Sequence, residues 1–350
     1  MSLAAIIEER LAAYVADGLL VGGGQAVVIE RGVVRASVAT GTDYLGRPMQ
    51  PEHLTCVYCC SKLPLYTALL ALMEAGLAQL NTPLRALLPE ANEFVGSCEI
   101  AQMLGQRGGF TMLDGPVSRF IPDQVRQLSP QWLEEPPARP RGTLAYSVSE
   151  VGWLTALILE RAGGRAYGDQ VQIVLNDVLG PDAMAPQRGP LTVTYQRDAD
   201  TELAVPLLNE LSSAVRSQWN PSLGWYTSAL GMARFGAALN DAWHGRRKLG
   251  QPIVRHAATP SHAPEFDAGM QMDMTYGLGY WTSLSEMGYG AAASPSSFGH
   301  GAQGSTSSLF IDPERELVVS LCFDLAIEND SAKKVRRGPL MDAIFAVIDA

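Results

Sequence analysis

Four lysines occur in the chain, at 62, 248, 333 and 334, and the last three stand in polar company. Lys62 opens the most apolar helical run of the protein, where loss of hydration favours the neutral, proton-accepting amine. Cys59 lies three positions earlier, on the same helical face, so thiol and amine come within reach of each other. A thiol at a helix N-terminus also meets unpaired N–H groups and the positive end of the macrodipole, which stabilise a thiolate. This is the setting of an activated nucleophile. Two other readings stand beside it. Cys59 and Cys60 are equally suited to be small core hydrophobes, with Lys62 snorkelling. His53, Cys56 and Cys59 recur at three-residue intervals as a metal set would, but no second Cys pair and no His-x3-His follows, so no metal is expected.

Three further residues have the right chemistry in less telling company. Tyr146 stands just ahead of a helix, where a tyrosine serves packing as readily as proton transfer. His300 is flanked by Gly299 and Gly301, which lets a ligand approach the backbone or a strand bend tightly. Trp225 follows the turn-like Pro221-Ser222-Leu223-Gly224 and is a candidate for lining a substrate pocket or for simple packing.

The elements that position these residues follow from periodicity. An amphipathic helix is expected to about Asp17, then a β-hairpin of Gln25 to Glu30 and Val33 to Thr40 around Arg31-Gly32. From Cys59 to Ala75 the apolar residues recur at helical spacing, and Gly76 stops the run. Helices are expected near 150 to 162 and 226 to 242, strands at Tyr276 to Leu284, Ser307 to Ile311 and Leu317 to Phe323, and a last helix at roughly 339 to 349. Strands at both ends around a helical middle imply an α+β fold: one antiparallel sheet from the two chain ends, flanked by helices, with an inserted helix-rich region. Residues 1–60 and 270–350 are assigned to the sheet region and 61–269 to the helix-rich region, as one compact unit with a site in the seam.

Composition narrows the function. The chain has 350 residues, 47% apolar and 18% charged, which suits a sizeable core and excludes disorder. A net charge of 26 − 36 = −10 repels phosphate backbones and anionic lipid, so no nucleic-acid or membrane partner is expected. Acidic Glu8-Glu9 stand where a signal peptide would be basic, and five cysteines do not suit a secreted disulfide framework, so a cytoplasmic location is expected. No cofactor fingerprint such as Gly-x-Gly-x-x-Gly or Gly-x4-Gly-Lys-Ser/Thr is present, and no cofactor is expected.

Cys59-Cys60-Ser61-Lys62, continuing through Leu69 to Gly76 and Asn81-Thr82-Pro83-Leu84, resembles the Ser-x-x-Lys helix of the serine β-lactamase and penicillin-binding-protein superfamily. The resemblance is narrower to the class C branch, with its esterases, D-aminopeptidase-like hydrolases and intracellular acyltransferases. Met103 to Gly109 is similar to the segment that ends in a His-Thr-Ser-Gly loop, and Tyr146-Ser147-Val148 to the Tyr-x-Asn motif. Tyr276 to Trp281, with Gly299-His300-Gly301-Ala302, resembles the strand region carrying His-x-Gly or Lys-Thr-Gly. The motifs follow the family's order over nearly the whole chain.

The resemblance implies that Cys59 holds the nucleophile position, that Lys62 and Tyr146 exchange its proton, and that His300 lines the opposite wall. The N–H of Cys59 and one near Gln303 would hold the oxyanion, and Gly301, Ala302, Gln303, Val148 and Trp225 would contact substrate. Four departures qualify this: Cys59 replaces serine, Val148 replaces asparagine, Ala302 replaces glycine and Gln106 replaces histidine. A thiol, with an ordinary pKa of about 8.5, needs less help from a base than a hydroxyl. It also reacts with a CoA or carrier-protein thioester at nearly no change in bond energy. The expected function is cytosolic acyl transfer through a thioester on Cys59, to a small-molecule acceptor or to water, as an acyltransferase or an ester or thioester hydrolase. The alternatives are a binding protein that has kept the pocket, or non-covalent acid-base chemistry by Tyr146 and Lys62.

Overall fold

The computed structural model describes residues 1–110, 138–183, 189–197, 201–211, 213, 220–327 and 333–350. Its main sheet has six strands: β1 (Gly23–Glu30), β2 (Val33–Gly41), β3 (Trp281–Thr282), β4 (Phe298–Gly301), β5 (Ser307–Asp312) and β6 (Leu317–Phe323). Their order is β2-β1-β6-β5-β4-β3, every neighbouring pair is antiparallel, and both chain ends contribute, as the strand pattern predicts. The decisive pairing is β1 with β6, in register from Gly24 opposite Phe323 to Glu30 opposite Leu317.

Strand residues alternate between two cores because successive side chains point to opposite faces. Val27, Ile29, Leu309, Ile311, Val318 and Cys322 join one core. Ala26, Val28, Phe310, Val319, Leu321 and Phe323 join the other. A sheet covered on both faces favours apolar residues at nearly every position, and β6, buried throughout and apolar except at Ser320, follows from that.

Among the described residues six helices run to eleven residues or more: α1 (Leu3–Ala16), α2 (Lys62–Glu74), α3 (Glu150–Gly163), α4 (Tyr167–Val178), α5 (Ala229–Trp243) and α6 (Gly338–Ile348). Helices α1 and α6 supply Ile7, Leu11, Leu340 and Ile344 to one core, and α2 and α5 supply Leu65, Leu69, Met232 and Phe235 to the other. α5 comes close to the sheet at Gly236, where an added Cβ would lie 2.8 Å from both Leu309 Cδ1 and Val318 Cγ1.

Two expectations change. The stretch from Tyr276 to Leu284 is a strand only at Trp281–Thr282. Gly279, at φ +84°, turns the backbone, and Tyr276 forms a single bridge back to Trp281. The helix at Cys59 begins as a 3-10 turn over Tyr58–Ser61, and α-helical geometry starts only at Lys62. The helix-rich middle also holds short strands, Tyr195–Arg197 and Ala204–Pro206, and the first of these runs parallel to Leu325–Ala326. Among the described residues no helix is long and apolar enough to cross a membrane.

Gly236→Leu is expected to lower stability by about 1–3 kcal/mol through overpacking against β5 and β6. Urea unfolding checks this, and an unchanged midpoint would show that helix and sheet do not meet closely at this glycine.

Candidate active site

Lys62 occupies the first turn of a helix buried along most of its length, and its side chain is fully buried. Its Nζ donates to Tyr146 Oη at 2.9 Å and to the Ser222 carbonyl at 3.3 Å. The Cys59 thiol lies close enough to Lys62 and Tyr146 for its charge to act on both. Desolvation lowers the pKa of Lys62 below the ordinary lysine value, against the opposing pull of Cys59, Cys60 and buried Glu150. A neutral amine has two hydrogens and one lone pair. The two oxygens use the hydrogens, and the thiol is the neighbour left for the lone pair.

Tyr146 is held by a rigid frame. Its N–H donates to Asp267 Oδ1 and Oδ2 at 3.0 and 3.1 Å, and the same carboxylate accepts from Tyr276 Oη at 2.7 Å and from the N–H groups of Gly269 and Met270. On its other side the next residue, Ser147, donates its N–H to Gln106 Oε1 at 2.9 Å. Burial, and next the charge of Cys59, push the Tyr146 hydroxyl well above its ordinary range. It therefore stays protonated and bridges other groups.

His300 on β4 completes the cluster, with Nε2 3.4 Å from Tyr146 Oη. Its Nδ1 lies 2.9 Å from the Gly301 carbonyl, which requires the proton there and leaves the Nε2 lone pair facing Tyr146. Burial, and next the charge of Lys62, lower its pKa to about 3, so the ring is neutral. It stacks on Trp281 with ring centroids 4.7 Å apart. The glycines beside it answer to close packing: a Cβ at 299 would lie 1.9 Å from the Leu309 carbonyl oxygen, and one at 301 would lie 2.9 Å from Tyr289 Oη.

The other candidates are placed as follows. Val148 is half-buried and packs on the core that contains Cys59, and it is the Ser222 carbonyl that takes the second Lys62 hydrogen. Trp225 sets its ring edge-on to Phe235 at 5.8 Å, and its backbone N–H donates to Ser61 Oγ at 2.8 Å. Ala302 is buried and donates its N–H to the Ser307 carbonyl, and Gln303 opens a 3-10 turn directly after it. Cys60 points away from Lys62, towards the His300 carbonyl and Ser307 Oγ. His53, Cys56 and Cys59 each take different neighbours: Asp43 for His53, the Leu223 carbonyl for Cys56, and Lys62 with Tyr146 for Cys59. Among the described residues no group of three or more His, Cys, Asp or Glu side chains is arranged to hold a metal ion.

The sequence reading missed Ser222, Asp267 and Tyr276. Asp267 stands in the run Asp267-Ala268-Gly269, a turn signal in which a carboxylate commonly caps backbone N–H groups, but nothing local says that Tyr146 is its partner.

The Beta-lactamase family model matches residues 3–338. The chain belongs to the Beta-lactamase family. A comparison with curated proteins gives no match. Among solved structures, a penicillin-binding protein homolog from Caulobacter crescentus superposes with a TM-score of 0.78 at 19% identity, covering 99% of this chain and 98% of that one. A family VIII carboxylesterase gives 0.80 at 18% identity, with 99% and 98% covered. EstCE1, described as a hydrolase with promiscuous acyltransferase activity, gives 0.74 at 16% identity, with 97% and 98% covered. At these identities the likeness shows that this member of the Beta-lactamase family shares their fold.

The neutral His300 ring gives a pH test. Its folded pKa lies below the unfolded value of about 6.5, so its contribution to stability is complete above pH 6.5 and is lost as pH falls towards 3. Between pH 6.5 and 4 the native protein is expected to lose roughly 1.4 kcal/mol per pH unit more than His300→Gln. Urea midpoints of both proteins across that range check the difference.

Proposed function

We propose that the protein is an acyl-transfer enzyme in which Cys59 is the covalent nucleophile. The reading rests on one observation above the others: a fully buried Lys62 amine hydrogen-bonded to Tyr146, three residues after a buried Cys59. The thiol proton passes to Lys62 Nζ as Sγ bonds to the acyl carbonyl carbon, and the carbonyl oxygen becomes anionic. Collapse of that intermediate breaks the bond to the leaving oxygen or sulfur, which takes the proton back from Lys62 through Tyr146 Oη. Water or an acceptor alcohol or amine then attacks the thioester carbonyl and gives its own proton to Lys62, and the departing Sγ takes that proton back so that thiol and neutral amine are restored. The backbone N–H groups of Cys59 and Gln303 are assigned to the oxyanion. Neutral His300 accepts from Tyr146 and fixes the direction of its hydroxyl.

Hydrolase and transferase outcomes share every step up to the acceptor. The carboxylesterase and the promiscuous acyltransferase among the structural neighbours support the reaction class. We favour transfer from a CoA or carrier-protein thioester to a small molecule in the cytoplasm, because thiol–thioester exchange costs almost nothing in bond energy. The site itself lies where the helix-rich middle meets the sheet built from the chain ends.

Intact-protein mass spectrometry after mixing with p-nitrophenyl acetate and acetyl-CoA is expected to show one acetyl adduct, mapped to the Cys59 peptide and missing in Cys59→Ala. Lys62→Met is expected to slow acylation roughly 10²–10⁴-fold, the usual range for loss of a positioned base. Turnover undiminished in Cys59→Ala would favour non-covalent chemistry by Tyr146 and Lys62. Binding of a small molecule without turnover in the native protein would favour a binding role.

A further inference from the structure

We infer that Glu210 and Tyr58 form a positioning pair that holds the backbone in front of Cys59 in the one conformation that aims its thiol at Lys62. The inference rests on Cys59 being the nucleophile and concerns how it is kept in place. Tyr58 directly precedes Cys59 and has φ +43°, in the left-handed region that a side chain bearing Cβ adopts only at a cost. Such conformations persist where the surroundings over-determine them.

The surroundings do so here from two sides. On the backbone side, Val57 donates its N–H to the Trp225 carbonyl at 3.0 Å, and its carbonyl accepts from Ser307 Oγ at 2.7 Å. On the side-chain side, Tyr58 Oη donates to Glu210 Oε1, and Glu210 Oε2 accepts from the Thr194 N–H at 2.8 Å. Thr194 is itself tied down, since its carbonyl accepts from the Leu207 N–H at 2.8 Å and the next residue, Tyr195, donates its N–H to the Asp324 carbonyl just beyond β6. The left-handed turn at Tyr58 is thereby referenced to the main sheet through a side chain about 150 residues away in sequence.

Glu210 is an expensive group to use as a mere filler. It is 5% exposed, and among the described residues no Lys, Arg or His forms an ion pair with it. Desolvation raises its carboxyl pKa to about 7 in spite of the Tyr58 and Thr194 hydrogen bonds. A glutamine or an apolar residue would fill the same space without that penalty. What the carboxyl supplies is two acceptor oxygens of fixed spacing, one for the Tyr58 hydroxyl and one for the Thr194 N–H. If φ at 58 relaxes to a negative value, the Cα–Cβ bond of Cys59 swings and Sγ leaves Lys62 and Tyr146. Glu210 touches no reacting atom, so it is a positioning residue.

The test is a double-mutant cycle of Tyr58→Phe, Glu210→Gln and the double variant. Its readouts are single-turnover acylation of Cys59 by p-nitrophenyl acetate, the half-saturation concentration and the melting temperature. Each single variant is expected to slow acylation about ten- to a hundred-fold, the scale of a small misplacement of reacting atoms. Half-saturation is expected to stay within about two-fold, and the double variant to be no slower than the slower single one. Acylation that is unchanged, that falls multiplicatively in the double variant, or that falls only in step with melting temperature would overturn the pairing while leaving Cys59 as nucleophile. A native protein that forms no adduct on Cys59 would overturn the nucleophile and this role of the pair together.

Discussion

Around Lys62 Nζ, which is fully buried, the fold places the Tyr146 hydroxyl and the Ser222 carbonyl, with Cys59 nearby. The Tyr146 hydroxyl and the Ser222 carbonyl come from two separate parts of the helix-rich middle, and Cys59 comes from the turn before the lysine's own helix. An ammonium in that position would be short of hydration and of a carboxylate in direct contact, and burial accordingly favours the neutral amine. Much of the neighbouring structure follows from keeping that amine dry and correctly partnered. The Asp267 carboxylate, with four backbone and hydroxyl donors around it, fixes Tyr146 so that its hydroxyl stays where the amine needs an acceptor. His300, neutral and stacked on Trp281, faces the same hydroxyl without bringing a positive charge to it.

The departures from the family's motifs fit this frame. With Val148 in place of a polar residue, the second lysine hydrogen is taken by a backbone carbonyl, which no side-chain substitution at 222 can remove. On the proposed reading, a thiol nucleophile asks less of its base than a hydroxyl would, and a single neutral amine is a sufficient proton acceptor. Ser61, adjacent to the lysine and a hydroxyl that might compete in sequence terms, is committed to the Trp225 N–H and is fully buried.

Much of the fold was legible in the sequence wherever burial on both sheet faces produced mainly apolar runs, as in β1, β5 and β6, or where a run at helical spacing was closed by Gly76. The strand expected from Tyr276 to Leu284 was not, because Gly279 lets aromatic-rich sequence turn where its composition suggests extension. For the site, the thiol, amine, phenol and imidazole could be named from residue type, local spacing and family resemblance. Their supports could not. Asp267 reaches back 121 residues to Tyr146, and Glu210 reaches 152 residues to Tyr58, and no local pattern encodes a partner at that separation. The Ser222 contact is made by a carbonyl, a group every residue carries, so residue type contains no signal of it.

The most direct measurement is a titration of the Lys62 side-chain amine by nitrogen-detected NMR, in a chain with only four lysines to assign. The account predicts a midpoint clearly below the ordinary lysine value of about 10.4. A midpoint at or above the ordinary value in the native protein would mean that the amine is an ion at working pH, and that the proton acceptor on which the chemistry depends is absent.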